Sequence, residues 1–279
     1  MNVSVAAREL YVSQPSLSLA IKKLESEFSC ILIVRNKVGF TLTPAGEELL
    51  KLAKGLLAHA EDVERLMHTA TGDAPTVTVG IPPMAGALLL PEMLGYLKEN
   101  SPSVKLSTRE GGREELLRFM DGHLVDLAIL PHEGAVPQGC LAVPIKEYET
   151  VCCVSNRHPL ADRGRVTPAD LSDEDIVLFS DGYFQNERLR ERFDRAGVPL
   201  ASAHRFTQLS TIEKIVADNI AVGFLFADLA RQIPGIRTLS LDPPIYTQIS
   251  LVWMKERRLT AAAEHFVSLM ERLYSNVAP

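Results

Sequence analysis

The sequence lacks any hydrophobic run long enough to cross a bilayer. Its longest apolar stretches, such as residues 220–227, are far shorter than the roughly 20 residues that a membrane-spanning helix needs. Near the start of the chain, Arg8 and Glu9 precede any hydrophobic stretch, so we predict no secretory signal peptide. We therefore expect a cytoplasmic protein that has no membrane partner.

The sequence also has few cysteines and lacks the residue patterns that are typical of enzyme active sites. The four cysteines, Cys30, Cys140, Cys152 and Cys153, are too few and too irregularly spaced for a disulfide framework or a zinc site. Cys152 and Cys153 are adjacent in an apolar, strand-like segment, so we expect both to be buried and inert. There is no paired nucleophile and base and no glycine-rich phosphate loop, and the glycine pair at 111–112 stands alone. We predict neither an enzyme nor a metal or cofactor site.

Negative charge predominates in the chain but not at its start. The net charge is −6, yet residues 1–46 carry five basic residues against three acidic ones. From position 69 onward, 21 basic residues face 27 acidic ones, which accounts for the whole net charge. A small basic region on an acidic body fits a module that contacts nucleic-acid phosphates while the rest stays away from them.

The apolar spacing divides the chain into two parts. Helical spacing dominates residues 4–67, a polar segment with glycine and proline follows at 69–75, and strand-like spacing begins at 77–81. Beyond that point, strand-sized apolar runs alternate with amphipathic segments, which predicts βαβ units and a largely parallel sheet. Two α/β lobes with a cleft between them form the simplest architecture.

The first part of the chain predicts two short helices joined by a turn at residues 11–12. Ser13 is positioned to cap the second helix, and Pro15 is tolerated in its first turn. The apolar stripe of this helix consists of Leu17, Ile21, Leu24 and Phe28. The opposite face presents Gln14, Ser16, Ser18, Lys22 and Lys23. Small polar groups near the helix start can reach base edges, and lysines suit phosphates, so the pattern fits a helix-turn-helix; an ordinary surface helix is the alternative.

Two motifs in this region resemble the winged helix-turn-helix of LysR-type transcriptional regulators. They are VAARELYVSQPSLSLAIKKLE at 5–25 and VRNKVGFTLTPAGEELL at 34–50, at the spacing that family uses. The resemblance extends along the chain through LLP, VDLAIL, HPLA and VADNIAVGFL, at 89–91, 125–130, 158–161 and 216–225. It implies a ligand-responsive regulator that binds operator DNA, with RNA polymerase as a further candidate partner.

The resemblance also implies domain boundaries and DNA contacts. We expect a winged helix-turn-helix over 1–46, a linker helix over 47–72, and a two-lobed α/β effector-binding domain of periplasmic-binding-protein type over 75–279. Lobe I would comprise 75–156 and 240–279, and lobe II 157–239. By similarity, the residues facing bases are Gln14, Pro15, Ser16 and Ser18. Those facing the sugar-phosphate backbone are Lys22, Lys23, Arg35 and Lys37.

The winged helix-turn-helix over residues 1–46, called the head below, departs from the family pattern at two points. The family often has a polar or basic residue where this chain has Leu19, so one DNA contact is expected to be absent. The chain also starts where the second helix of the family starts, so we expect the true start to lie upstream. The alternative is a dimerising, ligand-binding fragment that is deficient in DNA binding.

A heptad seam follows the head. Thr43 and Pro44 suit the cap and first position of a helix that can run to about residue 67. Its apolar positions at steps of four and three are Leu49, Ala53, Leu56, Ala60, Val63 and Met67. This spacing predicts a coiled coil that forms a homodimer or homotetramer, and one face of a buried helix is the alternative.

The effector site is expected in the cleft, on loops that follow strand ends and at helix N-termini. The candidate residues are Pro83, Met84, Ala85, Leu130, His132, Tyr183, Gln208, Ser210 and Phe226. Ser210 or Thr211 could instead cap a helix, and His132 alone could be a solvated loop histidine. The family commonly has a carboxylate-binding Thr or Ser where this chain has Met84. This favours a more apolar effector, or a pocket that uses backbone N–H groups.

Overall fold

The computed structural model describes residues 13–36, 39–50, 52–53, 56, 74–200 and 202–275. The chain forms two compact units, Met1–His68 and Thr69–Pro279. Among the helices of the described residues, none is long and apolar enough to span a membrane. The predicted first helix and turn, at residues 4–12, lie outside the described residues.

The first unit begins with a capped helix, as predicted. Helix α1 spans Gln14–Glu27, and the Ser13 hydroxyl accepts a hydrogen bond of 3.2 Å from the backbone N–H of Ser16. Pro15 lies in the first turn, where backbone N–H groups lack helical partners. The Glu25 carboxylate accepts hydrogen bonds from the backbone N–H groups of Leu32 (2.9 Å) and Ile33 (3.2 Å). It thereby ties the helix to the strand that follows.

A β-hairpin and a second helix complete the first unit. Strands β1 (Ile33–Asn36) and β2 (Gly39–Leu42) pair in antiparallel register and form the wing. Helix α2 is described at residues 44–50, 52–53 and 56, and the predicted cap is confirmed because the Thr43 hydroxyl accepts from the N–H of Gly46 at 3.0 Å. Gly46 is buried against the backbone of Leu32, the residue just before β1, so the turn into α2 leaves no room for a side chain.

The second unit is built on a mixed sheet. In spatial order its strands are β10 (Gly223–Phe226), β6 (Cys140–Ser155), β11 (Ile236–Met254), β5 (Leu127–His132), β3 (Thr76–Ile81) and β4 (Lys105–Glu110), with β7 (Arg165–Val166) beside β11. Strand β3 pairs in parallel with β4 and β5, as βαβ units require. The pairs β5–β11, β11–β6 and β6–β10 are antiparallel, so the expected largely parallel sheet is wrong for this half.

Helices and a smaller sheet cover this frame. The helices are α3 (Pro83–Asn100), α4 (Arg113–Asp121), α5 (Phe184–Arg195), α6 (Leu209–Ala217), α7 (Ala227–Ala230) and α8 (Ala261–Tyr274), and Pro168–Leu171 forms a 3₁₀ turn. The smaller sheet pairs β8 (Ile176–Phe179) in parallel with β9 (Ser202–Phe206). Helix α3 begins at Pro83, so the candidate residues Pro83, Met84 and Ala85 lie in its first turn.

The two longest strands connect two hydrophobic cores. One core contains Met93 and Phe266, which are fully buried on α3 and α8 beside β3 and β5. The other core contains Leu189 and Phe193 on α5 against β8 and the far ends of β6 and β11. The lobe limits expected at 156 and 240 therefore fall close to the end of β6 and inside β11. Because both strands pass from one core to the other, their segments between the two cores lie at the junction of the lobes.

Candidate functional site: a cavity between the lobes and an exposed helix face

A largely apolar cavity opens where the two lobes meet. Its empty volume is about 410 Å³, including space open to solvent. The lining residues are Pro82, Met84, Ala85, Arg113, Pro131, Tyr183, Phe184, Gln185, Phe226, Thr247 and Ile249. Small-molecule sites are mainly hydrophobic with a few polar groups, and this cavity has the same character.

Stacked aromatic rings hold two walls of the cavity in place. The ring of Phe226 stacks on Tyr148 with centroids 5.1 Å apart, and the ring of Tyr183 stacks on Phe179 at 4.9 Å. Met84 lies in the first turn of α3 and is only 7% exposed. Burial raises the pKa of Tyr183, and the nearby carboxylates of Glu115 and Glu110 raise it further, so this phenol stays protonated at neutral pH.

Three polar residues of the lining were missed by the sequence analysis. Arg113 is the first residue of α4, and its guanidinium carbon lies 5.4 Å from the centroid of the Phe184 ring. Gln185 is 7% exposed and donates from Nε2 to the carbonyl oxygen of Phe224 at 2.8 Å. Thr247 is buried on β11. The one available signal was the glycine pair at 111–112, which immediately precedes Arg113.

That glycine pair allows a close approach between the lobes. A Cβ atom on Gly112 would lie 2.5 Å from the carbonyl oxygen of Gly182, which is too short for any real contact. Gly182 itself has φ +87°, a conformation that favours glycine. The backbones preceding α4 and α5 therefore meet directly, and this contact positions Arg113 and Tyr183 at the edge of the cavity.

On strand β5, Pro131 lines the cavity, whereas the residues on either side of it do not. Leu130 is fully buried in a cluster with Leu116 and Val252, so the expectation that it contacts the effector is wrong. The reason is that successive side chains of a strand point to opposite faces, and residues 130 and 132 therefore share the face away from Pro131.

His132 is held in a buried hydrogen-bond network. It is 6% exposed, its Nε2 lies 2.8 Å from the Ser250 hydroxyl, and its Nδ1 lies 3.0 Å from the carbonyl oxygen of Gly134. Burial lowers the pKa of His132, and the positive charge of Arg113 lowers it further. The alternative of a solvated loop histidine is wrong. His132 is also absent from the cavity lining, so the structure gives it a packing role.

Three other candidates line a wider, open cleft next to the cavity. Pro83, Gln208 and Ser210 line this cleft, and Tyr183 lines both spaces. Gln208, not Ser210 or Thr211, holds the N-cap position of α6, and no side chain caps this helix. The alternative capping role of the two hydroxyls is therefore wrong. Of the nine expected residues, the cavity brings together Met84, Ala85, Tyr183 and Phe226.

An ion pair joins the two lobes close to the cavity. Arg188 of α5 lies 2.5 Å from the carboxylate of Glu133, which follows β5, and 2.7 Å from that of Glu191. The Arg188 side chain is 16% exposed, whereas that of Glu133 is 58% exposed. The pair therefore links the segment after β5 to α5 across the junction of the lobes.

We expect Glu133→Gln to loosen this junction. Loss of one exposed partner should lower the free energy of opening by about 1 kcal/mol or less, because Arg188 keeps its second partner. Hydrogen–deuterium exchange in the segment after β5 and in the first turns of α5 should become up to about fivefold faster. Glu114→Gln, at an exposed pair within α4, is the control. Equal exchange in both variants would contradict the role of this ion pair.

Most of the DNA-facing candidates on α1 are exposed. Gln14, Pro15, Ser16, Lys22 and Lys23 are exposed, and Ser18 is half-buried. Because positions four apart lie on one helix face, residues 14, 18 and 22 form a continuous polar and basic stripe. Arg35 lies in β1, and its side chain and all of Lys37 are outside the described residues.

The described part of the linker helix exposes leucines. Leu56 is 74% exposed, Leu52 62% and Leu50 41%, while Leu49 and Ala53 are half-buried. The remaining seam positions, Ala60, Val63 and Met67, lie outside the described residues.

Comparison with known proteins identifies the family. Residues 70–274 match the family described as LysR substrate binding domain, and residues 1–47 match the one described as bacterial regulatory helix-turn-helix protein, lysR family. The chain belongs to the LysR family. It is a transcriptional regulator with an effector-binding domain, and members of this family are not enzymes.

The relatives match most of this LysR chain. YvbU, an uncharacterized HTH-type transcriptional regulator from Bacillus subtilis, is 24% identical over 96% of this chain and 92% of its own length. The hydrogen peroxide-inducible genes activator of Dickeya chrysanthemi is 29% identical over 79% of this chain and 72% of its own. A solved cysteine mutant of OxyR from Corynebacterium glutamicum is 26% identical, has a TM-score of 0.62, and the match covers 99% of this chain and 87% of that one.

Proposed function

We propose that this LysR regulator acts in the cytoplasm as a homodimer or homotetramer on a pseudo-palindromic operator. A small molecule bound between the lobes would shift the geometry between two DNA-binding heads. The observation that carries the proposal is the polar and basic stripe of Gln14, Ser18 and Lys22, exposed at Gln14 and Lys22, on a helix that Ser13 caps. Polar side chains near the start of such a helix suit base edges, and lysines farther along suit phosphates.

The second unit supports the effector half of the proposal. The cavity has one apolar wall on each lobe, from Met84 and Pro131 on one side and Tyr183 and Phe184 on the other. A ligand that contacts both walls stabilises the closed arrangement over an open one. Differential affinity for two arrangements is what allows a ligand to shift their populations.

Salt-dependent DNA binding tests the proposal. Fluorescence anisotropy with DNA from the intergenic region upstream of the gene should show affinity that falls steeply with salt and exceeds that for a scrambled duplex. Lys22→Gln should reduce the slope of log affinity against log salt by about 1, whereas Lys98→Gln, at an exposed lysine of α3, should leave it unchanged. If the protein binds ligands and forms dimers but shows no affinity for DNA, the DNA-binding half of the proposal is wrong.

The peroxide response named in some relatives does not extend to the proposal for this chain. Cys152 and Cys153 are fully buried, and burial raises the pKa of Cys153 to about 12 and that of Cys152 well above its usual range. Burial also raises the pKa of Cys140, whose thiol lies 3.8 Å from the sulfur of Met254. Because the thiolate is the reactive form, these three thiols are poor peroxide sensors.

We therefore expect slow thiol chemistry in the native protein. A thiol-specific reagent should label Cys30 first and Cys140 more slowly, and should reach Cys152 and Cys153 only after unfolding. Labelling is counted by mass spectrometry with and without denaturant, and DNA binding is compared before and after a low dose of peroxide. Rapid native labelling at Cys152 or Cys153, or a peroxide-induced disulfide, would overturn this expectation.

A further inference from the structure

The inter-lobe cavity contains one charged side chain among the residues that line it. Arg113 lies among prolines, aromatic rings, Met84, Ala85 and Ile249, and the other lining residues are neutral. An arginine stays charged at any physiological pH and offers five N–H donors in a fixed plane. The cavity therefore carries a permanent positive charge in apolar surroundings.

Within the described residues, Arg113 has no ion-pair partner and makes no hydrogen bond. Its Nε atom is buried without a hydrogen-bond partner, and its guanidinium is held against the ring of Phe184. The neighbouring carboxylates lie elsewhere: that of Glu114 faces Arg118 at 4.0 Å, and that of Glu115 folds over Gly111. Leaving a partly buried cation unpaired is unfavourable, and an anion in the cavity would remove the penalty.

A second polar group at the cavity also lacks a partner. Gln185 is more than nine-tenths buried, and its Nε2 is used by the carbonyl of Phe224, but its Oε1 is buried with no hydrogen-bond partner. An amide oxygen can only accept hydrogen bonds. The cavity thus provides donors at Arg113 and a free acceptor at Gln185, which are the two complementary requirements of one polar ligand.

We infer that the effector of this regulator is a small carboxylic acid with an apolar ring and a hydroxyl or N–H group, whose carboxylate pairs with Arg113. The inference rests on the proposed function, since it specifies the ligand of the same cavity. The carboxylate would bind at the start of α4, beside the ring of Phe184. The aromatic side chains of Tyr183, Phe184 and Phe226 would contact the ring. The ligand hydroxyl or N–H would donate to Oε1 of Gln185.

Matched pairs of acids and amides test the role of charge. Benzoate and the three hydroxybenzoates are titrated by calorimetry against the full chain, each beside its neutral amide of the same shape. We expect acids to bind at least about tenfold more tightly than their amides, because a charge-assisted pair is lost in the amide. At least one hydroxybenzoate should bind more tightly than benzoate. Equal binding of acids and amides, or no binding by any acid, would overturn the inference.

Variants of the two arginines on α4 test which arginine pairs with the carboxylate of the ligand. Arg113→Gln should abolish the preference for acids, and Arg113→Lys should retain part of it, because lysine keeps the charge but loses the planar donors. Arg118→Gln is the matched control, since Arg118 lies on the same helix, is 67% exposed and does not line the cavity. An acid preference that survives Arg113→Gln, or that disappears in Arg118→Gln, would also overturn the inference.

The two proposals can fail separately. If the acid preference follows Arg113 but no DNA fragment is bound, the ligand class stands and the DNA-binding half of the proposed function fails. If DNA binding is salt-dependent and sequence-specific but acids and amides bind alike, the regulator stands and the ligand class fails. Melting curves of Arg113→Gln and Arg118→Gln, recorded without ligand, show whether both variants are folded.

Discussion

Replacing Gly46 with alanine should destabilise the first unit and abolish DNA binding. A Cβ atom at this position would lie 2.1 Å from the carbonyl oxygen of Leu32 and 3.0 Å from its carbon. That carbonyl cannot move freely, because it accepts the backbone N–H of Thr43 at 2.9 Å. We expect a loss of about 3 kcal/mol or more in the free energy of unfolding, at the upper end of the cost of overpacking. Denaturant unfolding and DNA anisotropy measure the two effects.

The same substitution at Gly95 should have the opposite sign. Gly95 lies in the middle of α3, is exposed, and has nothing within 4 Å of the position a Cβ atom would take. Alanine there should stabilise the second unit by about 0.5–1 kcal/mol, since glycine loses more conformational freedom in a helix. If Gly46→Ala were as harmless as Gly95→Ala, the described junction between wing and α2 would be incorrect.

The second large effect is expected at the linker helix. The double substitution Leu49→Asp and Leu56→Asp should convert the protein to a monomer, because it places charges at two positions of the predicted seam. Loss of the second head should weaken operator binding by about 100-fold or more, since two linked heads bind far more tightly than one. Sedimentation velocity measures the mass, and anisotropy measures the affinity.

Leu141→Asp is the control for the added charge. Leu141 is 44% exposed on β6, far along the sequence from the predicted seam. This variant should keep the oligomeric state and the DNA affinity of the parent chain. A double variant that remains dimeric would contradict the coiled coil and favour the alternative in which the helix buries its seam within the chain.

Local signals in the sequence predicted the elements best. The cap at Ser13 and the cap at Thr43 were both predicted, because each depends on residues within one turn. The burial of Cys152 and Cys153 was predicted from the apolar run around them. These features need no knowledge of distant parts of the chain.

Features that depend on contacts between distant segments could not be predicted from the sequence. The antiparallel pairing of β6 with β11 joins residues about 100 positions apart, and neither strand signals its partner. All six residues of β5 are buried, so alternation does not reveal that Pro131 faces the cavity and Leu130 the core. Arg113 was overlooked because an arginine at a helix start usually lies in solvent. The contact of Gly112 with Gly182, a residue distant in the sequence, brings it to the cavity.

Nuclease footprinting tests most directly whether this chain recognises DNA through paired heads. Nuclease protection on the upstream intergenic DNA should reveal two protected half-sites on one face of the duplex, separated by about one helical turn or a multiple of it. Protection should appear at the concentration at which the protein is dimeric, and should vanish for Gly46→Ala. A chain that is folded and dimeric but protects no segment, or protects every fragment uniformly, would contradict the account.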